Sequence, residues 1–217
     1  MLTSYNVWAS RHLRRLYMGN HRILDAQAKD ITAEDTWYAL FTSELPDGVA
    51  AKTTQLSELL NKSERLDVIL PLSDILAPQG LLTEVLAMIA NHSSRVGLWA
   101  DTSISTEQLD QLLAACKDSE RPLLNALDLV VLYQPGFGDG RSFSQARHLR
   151  QQGFEGEIRI AGDFGRDQIV YLQRAGVDSF IIRAENVTDD IQAAFSVLPS
   201  SYDGSVASQL PMFRKQA

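Results

Sequence analysis

Residues 127–150 read LDLVVLYQPGFGDGRSFSQARHLR, and the change of rhythm inside this stretch decides the fold. The apolar run Leu129–Tyr133 fits a strand buried on both faces. The turn Pro135-Gly136-Phe137-Gly138-Asp139-Gly140 follows, and no regular element can continue through it. Ser142 and Gln145 then have the S-x-x-Q spacing of a capping box, predicting a helix with Phe143, Ala146 and Leu149 on one side. Arg141 stands beside that helix start, where the helix dipole disfavours a cation. It needs a partner, either a bound anion or Asp139.

The same alternation extends in both directions. Apolar strand candidates lie at Val68–Leu72, Val96–Ala100, Ile158–Ala161 and Phe180–Ile182. Helical patterns lie at Gln79–Asn91, Thr106–Lys117, Phe143–Gln152, Arg166–Ala175 and Asp189–Ser196. Ser105 and Gln108 form a second capping box, while Gly153 and Gly176 stand where helices should stop. Strand–helix alternation at this spacing requires crossovers and a parallel sheet. The expected fold is α/β: a three-layer, doubly wound parallel sheet of about five strands, flavodoxin- or receiver-like. A partial TIM-barrel-like arrangement of the same units is the alternative. This α/β domain is expected over 66–202, with a tail at 203–217. Residues 1–65 read as an N-terminal extension. It holds an amphipathic helix over 4–18, ended by Gly19-Asn20, extended pieces at His21–Ala26 and Thr36–Phe41, and a helix near Thr53–Lys62.

Composition narrows the function classes. The formal net charge of -7 over 217 residues argues against general nucleic-acid or anionic-membrane binding. The charge is uneven, since Arg11, Arg14, Arg15 and Arg22 all precede the first acid, Asp25. The single cysteine, Cys116, continues the helical stripe Leu109, Leu112, Leu113 and reads as core. One cysteine cannot hold an iron–sulfur cluster by itself or close an internal disulfide, so no such cluster is expected from this chain. His12, His21, His92 and His148 lack zinc-ligand spacing, so no structural zinc is expected either. No signal-peptide core is visible, and no stretch approaches the ~18 apolar residues of a membrane span. A cytoplasmic protein with no membrane partner is expected, and homo-oligomerisation is left open.

Gly136, Gly138 and Gly140 lack the later glycine of a dinucleotide fingerprint, and a glycine-dependent turn explains them better. Arg141 and Arg166 each stand at a helix start after the carboxyl end of a strand, and the two strands are expected to be neighbours. With Gly140 and Ser142 they could hold a small oxyanion such as sulfite, sulfate or phosphate. The competing reading pairs Arg141 with Asp139, and Arg166 with Asp163 or Asp167. Asp74, Asp101, Asp139, Asp163 and Asp167 are loop carboxylates able to hold Mg²⁺ or act as a base. Asp is equally a common loop and cap residue, and no metal site is expected. Tyr133 and His148 could join a pocket, and no nucleophilic triad follows from spacing.

Two resemblances accompany this reading. DLVVLYQPGFGDG, LR-x-x-G and AGVDSFIIR are similar to the third through fifth strands of bacterial response-regulator receiver domains. The receiver chemistry is not carried over. Tyr133-Gln134 replace the phosphate-accepting Asp, only Asp74 stands for the paired acids, and Arg183 stands for the lysine. A longer match, PGFGDGRSFSQARHLR followed by GEIRIAGDFGRDQIVYLQRAGVDSF, resembles the bacterial family termed domain of unknown function 934. With ILPLSDILA and VGLWAD it covers roughly Leu66 to Tyr202. Gln134 departs from the usual Phe, Ile160 from Ala, and Ala175 from a frequent Cys. The resemblance implies an oxidoreductase role in sulfite reduction, alongside components of a sulfite reductase system. It transfers no catalytic residue and names no cofactor.

Overall fold

The computed structural model describes residues 13–15, 21–40, 67–76, 95–101, 104–115 and 127–196. The five expected strands are present: β4 (Asp67–Pro71), β5 (Val96–Ala100), β6 (Leu127–Gln134), β7 (Glu157–Gly162) and β8 (Ser179–Arg183). They are nearly all apolar and buried on both faces, as parallel strands must be. Three further strands come from the segment read as an extension: β1 (Leu13–Arg15), β2 (His21–Asp25) and β3 (Trp37–Leu40). All eight belong to one sheet, in the order β1-β3-β4-β5-β6-β7-β8-β2. The six strands β3 to β8 are parallel, while β1 and β2 close the two edges antiparallel.

The sheet is flanked by α1 (Leu72–Leu76), α2 (Thr106–Ala115), α3 (Arg141–Gln151), α4 (Arg166–Ala175) and α5 (Asp189–Ala194). The α/β class and the mostly parallel sheet are as expected. Within that class, the parallel strands follow chain order without a reversal, which is the order of the barrel-like alternative. Side-chain alternation agrees. Val68, Leu70, Val130, Leu132, Ile158 and Ile160 share one apolar cluster with Leu109, Ala146, Leu149, Ile169, Leu172 and Ala194 of the helices. Ile23, Trp37, Ile69, Leu129, Val131, Ala161 and Ile181 form a second cluster on the opposite face, to which no described helix contributes. Each fully buried Leu or Ile stabilises the fold by about 1.5–3 kcal/mol.

Chain length requires that the sheet curl. Eight strands lying flat would span roughly 34 Å, from seven gaps of about 4.8 Å. The edge strands β1 and β2 are joined by the short link from Arg15 to His21. Six Cα steps reach at most about 22 Å. The edges must therefore bend towards each other, and the second cluster becomes the inside of an incomplete barrel.

Two expectations are corrected. Leu13–Arg15 is not helical, because it pairs antiparallel with Tyr38–Leu40 at the edge of the sheet. The rest of the expected 4–18 helix, the helices at Thr53–Lys62 and Gln79–Asn91, residues 203–217 and Cys116 lie outside the described residues. Ser142 and Gln145 are not a capping box. Gly140 caps α3, which starts at Arg141, so Ser142 and Gln145 fall inside the first turns and face inward, fully buried. Ser142 donates to Gln134 Oε1 at 2.7 Å, and Gln145 Nε2 to the carbonyl of Ile104 at 2.8 Å. The box at Ser105 and Gln108 does form, with reciprocal bonds of 2.9 and 3.2 Å. Gly176 ends α4 at φ 104°, and Gly153 follows α3 at φ 87°, as a left-handed helix stop requires.

Candidate functional site

The carboxyl ends of β6 and β7 carry two loops that are bonded into one unit. Gly162, the last residue of β7, has φ 112°, and a Cβ there would lie 2.0 Å from the Gln134 carbonyl oxygen. Only glycine allows the two backbones to approach this closely. The buried Gln134 side chain donates to the Asp163 carbonyl at 2.9 Å and to Gln168 Oε1 at 3.1 Å. Gln168 Oε1 also accepts from the Gly165 N–H, and its Nε2 donates to the Phe137 carbonyl. The Phe137 N–H reaches Asp163 Oδ2 at 3.3 Å. Gln134, where Phe is usual in the family resembled, therefore acts as a polar strut beneath both loops.

Beside this unit lies a cavity of about 860 Å³, at the carboxyl ends of β5 to β8 and the start of β2. In parallel α/β folds this is the end where ligands bind. Trp99 and Tyr133 stand together in its wall, their rings stacked at 5.4 Å and 29°. Ala161 lies beside Tyr133 in the sheet, and it shares an apolar cluster with the paired Ile181 and Ile23. The small side chain among these bulky ones leaves the depression. The upper wall holds Arg166 from the start of α4, Arg183 from the end of β8, Asp163, Glu185 and His21. Nδ1 of His21 is enclosed and has no hydrogen-bond partner.

The expected residues are distributed unequally about this cavity. Arg166 lines it, and its Nε pairs with Asp190 at 2.9 Å, not with Asp163 or Asp167. Arg141 does not line it. Its guanidinium makes a forked pair with Asp139, at 3.0 and 2.7 Å, and its N–H bonds the same carboxylate. The hydrogen bond that Arg141 donates to Asp139 raises the Arg141 pKa further above the usual arginine range. Gly140 and Ser142 serve the start of α3 and are likewise outside the cavity. Tyr133 lines it, but His148 is held by Asp110 at 2.7 Å between α2 and α3.

The described loop carboxylates do not converge. Asp163 is in the cavity wall, Asp139 is committed to Arg141, Asp101 lies at the end of β5, and Asp167 is exposed on α4. Asp74 falls within α1, and its side chain lies outside the described residues. Among the described residues no three His, Cys, Asp or Glu side chains are grouped to hold a metal ion. Arg183, His21 and Trp99 were not among the sequence candidates for the site. Arg183 could have been found by the reasoning that singled out Arg166, since it also follows a buried strand.

Charge is arranged differently at the amino ends of the same strands. Arg159, inside the curled sheet, is 2% exposed and pairs with Asp35 and Glu157, both at 2.8 Å. It also reaches Ser179 Oγ at 3.0 Å. Asp67 accepts from Thr36 and Arg95, and the Arg95 guanidinium lies 4.9 Å over the Trp37 ring. Burial pushes the Asp35 carboxyl up against the pull of Arg159. Burial also raises Asp67, but the hydrogen bonds from Arg95 and Thr36 and the Arg95 charge outweigh it and hold that carboxyl down. At this end both arginines are paired with carboxylates of the chain itself.

Residues 110–213 match the model of a family described as "Bacterial protein of unknown function (DUF934)". No curated protein and no solved structure matches the chain. Among the described residues, no helix is long and apolar enough to cross a membrane.

Proposed function

This chain belongs to the DUF934 family through residues 110–213, and on that premise we propose that it is a cytoplasmic, anion-binding auxiliary protein of sulfite reduction in sulfur assimilation. The observation that carries the binding half is the pair Arg166 and Arg183 in the wall of one cavity at the carboxyl ends of the strands. Both side chains are about half exposed or more, at 48% and 69%, so an entering anion can recruit them without being buried with an unpaired charge. Backbone N–H groups in the first turn of α4, beside Arg166, favour the same sign of ligand.

The pathway half comes from the family resemblance. An auxiliary role suits the chain better than a self-contained reductase. Reducing sulfite to sulfide is a six-electron process that needs redox centres, and this sequence has a single cysteine, Cys116. Components of the sulfite reductase system are the natural partners. A non-redox, oxyanion-sensing regulator is the alternative, and it uses the same two arginines.

Thermal shift titrations with sulfite, sulfate and phosphate test the binding half. Wild type should be stabilised by at least one of them, Arg166→Ala and Arg183→Ala should lose the shift, and Arg141→Ala should keep it. An unshifted wild-type melting curve with all three anions ends the proposal. Deleting the gene in its own host tests the pathway: growth should fail on sulfate or sulfite and recover on cysteine.

A further inference from the structure

The cavity is much larger than a bare oxyanion needs, and its two walls differ in chemistry. We propose that its ligand is a phosphate ester of a planar heteroaromatic ring, with the phosphate at Arg166 and Arg183 and the ring against Trp99 and Tyr133. This rests on the anion-binding reading above and specifies the rest of the ligand.

Three observations carry it. A volume of about 860 Å³ falls in the range of roughly 300–1,000 Å³ that encloses whole organic ligands. Sulfite or phosphate alone would leave most of that space to water. The second observation is the stacked pair Trp99–Tyr133, centroids 5.4 Å apart, two part-exposed rings brought together in the wall rather than in the sealed core. Aromatic faces of this kind take a planar ring by offset or edge contact. The third is Ala161. It pairs with Tyr133 in the sheet and shares a cluster with Ile181, and where these three line the cavity its small side chain leaves room between a ring and a branched aliphatic chain.

The polar and apolar features are separated within the cavity. The cations come from the ends of β8 and the start of α4, above the sheet, and the aromatic pair comes from β5 and β6. A ligand that satisfies both must be charged at one end and flat at the other, as in flavin mononucleotide or a purine mononucleotide.

Titration calorimetry on the full chain separates the cases, using inorganic phosphate, ribose 5-phosphate, adenosine monophosphate and flavin mononucleotide. At least one ring-bearing ester should bind ten-fold or more tightly than ribose 5-phosphate, and the better of the two identifies the ring. Ala161→Leu fills that room and should erase that ten-fold advantage while leaving phosphate and ribose 5-phosphate unchanged. Should that variant not fold, Tyr133→Leu, which removes the ring face but keeps much of the bulk, should reduce the advantage in the same way. If both ring-bearing esters bind no better than ribose 5-phosphate, while phosphate still binds, the aromatic inference is overturned and the anion-binding reading stands. If neither phosphate nor any ester binds, the phosphate-ester inference is overturned, and the anion-binding reading then stands or falls on the sulfite and sulfate titrations.

Discussion

The amino and carboxyl ends of one set of strands use arginine in opposite ways. At the amino end Arg159 is 2% exposed and surrounded by Asp35, Glu157 and Ser179. At the carboxyl end Arg166 is 48% exposed, held by one pair to Asp190, and borders a cavity. A buried cation with fixed partners is a structural element, because losing any partner leaves a charge without solvation. An exposed cation over a cavity contributes little to folding and can exchange partners. Within one sheet, then, partner count and burial separate the charges that hold the fold from those available to a ligand.

That contrast gives a graded set of expectations. Arg159→Ala should lower stability by about 3–5 kcal/mol, since it leaves Asp35 buried and unpaired; urea denaturation measures it, and a loss below about 1 kcal/mol would dissolve the distinction between the ends. Gly162→Ala should cost about 1–3 kcal/mol from its backbone conformation, besides the contact with the Gln134 carbonyl. The carboxyl end would thereby prove rigid in its backbone although its cations are free to move.

The acid response of the amino end should divide between two carboxylates. The folded-state pKa of Asp67 is lowered, so its stabilisation is present above about 4 and lost as pH falls through the folded value. Asp67→Asn should flatten the acid limb of a stability–pH profile. Asp35 is raised, so its contribution is full below about 4 and lost as pH rises through the folded value. Asp35→Asn should flatten that higher limb instead, and identical profiles for the two variants would count against this account. Smallest of all, Arg166→Ala should change stability by no more than about 1 kcal/mol.

Much of the strand layout could be read from sequence, because Val68–Leu72 and Leu129–Tyr133 are apolar on both faces. The pairing of β6 with β7 was expected as well; the edge pairings of β1 and β2 were not, since they lie outside the regular strand–helix alternation. Leu13–Arg15 shows the limit: its helical spacing is a local signal, and an edge pairing with Tyr38–Leu40 overrode it. The two S-x-x-Q motifs teach the same lesson. At Ser105 the motif caps a helix, whereas at Ser142 the helix has already begun at Arg141, and the same residue types turn inward. Arg141 and Asp139 were readable as a local pair two residues apart. The site residues His21 and Trp99 were not, because only the curled sheet brings the ends of β2 and β5 to one cavity.

The pairing of β2 with β8 also bears on how the protein is made. Strand β2 has its sheet partner at residues 179–183, and Gln173 Nε2 bonds the Ala26 carbonyl from 147 positions away. During synthesis Ile23 and Leu24 emerge long before the strand that shelters them, so an apolar edge waits while more than a hundred residues are added. Such long-range pairing slows folding and favours association of incomplete chains. A nascent chain stopped before Ser179 should therefore engage chaperones more strongly than one extended past Arg183.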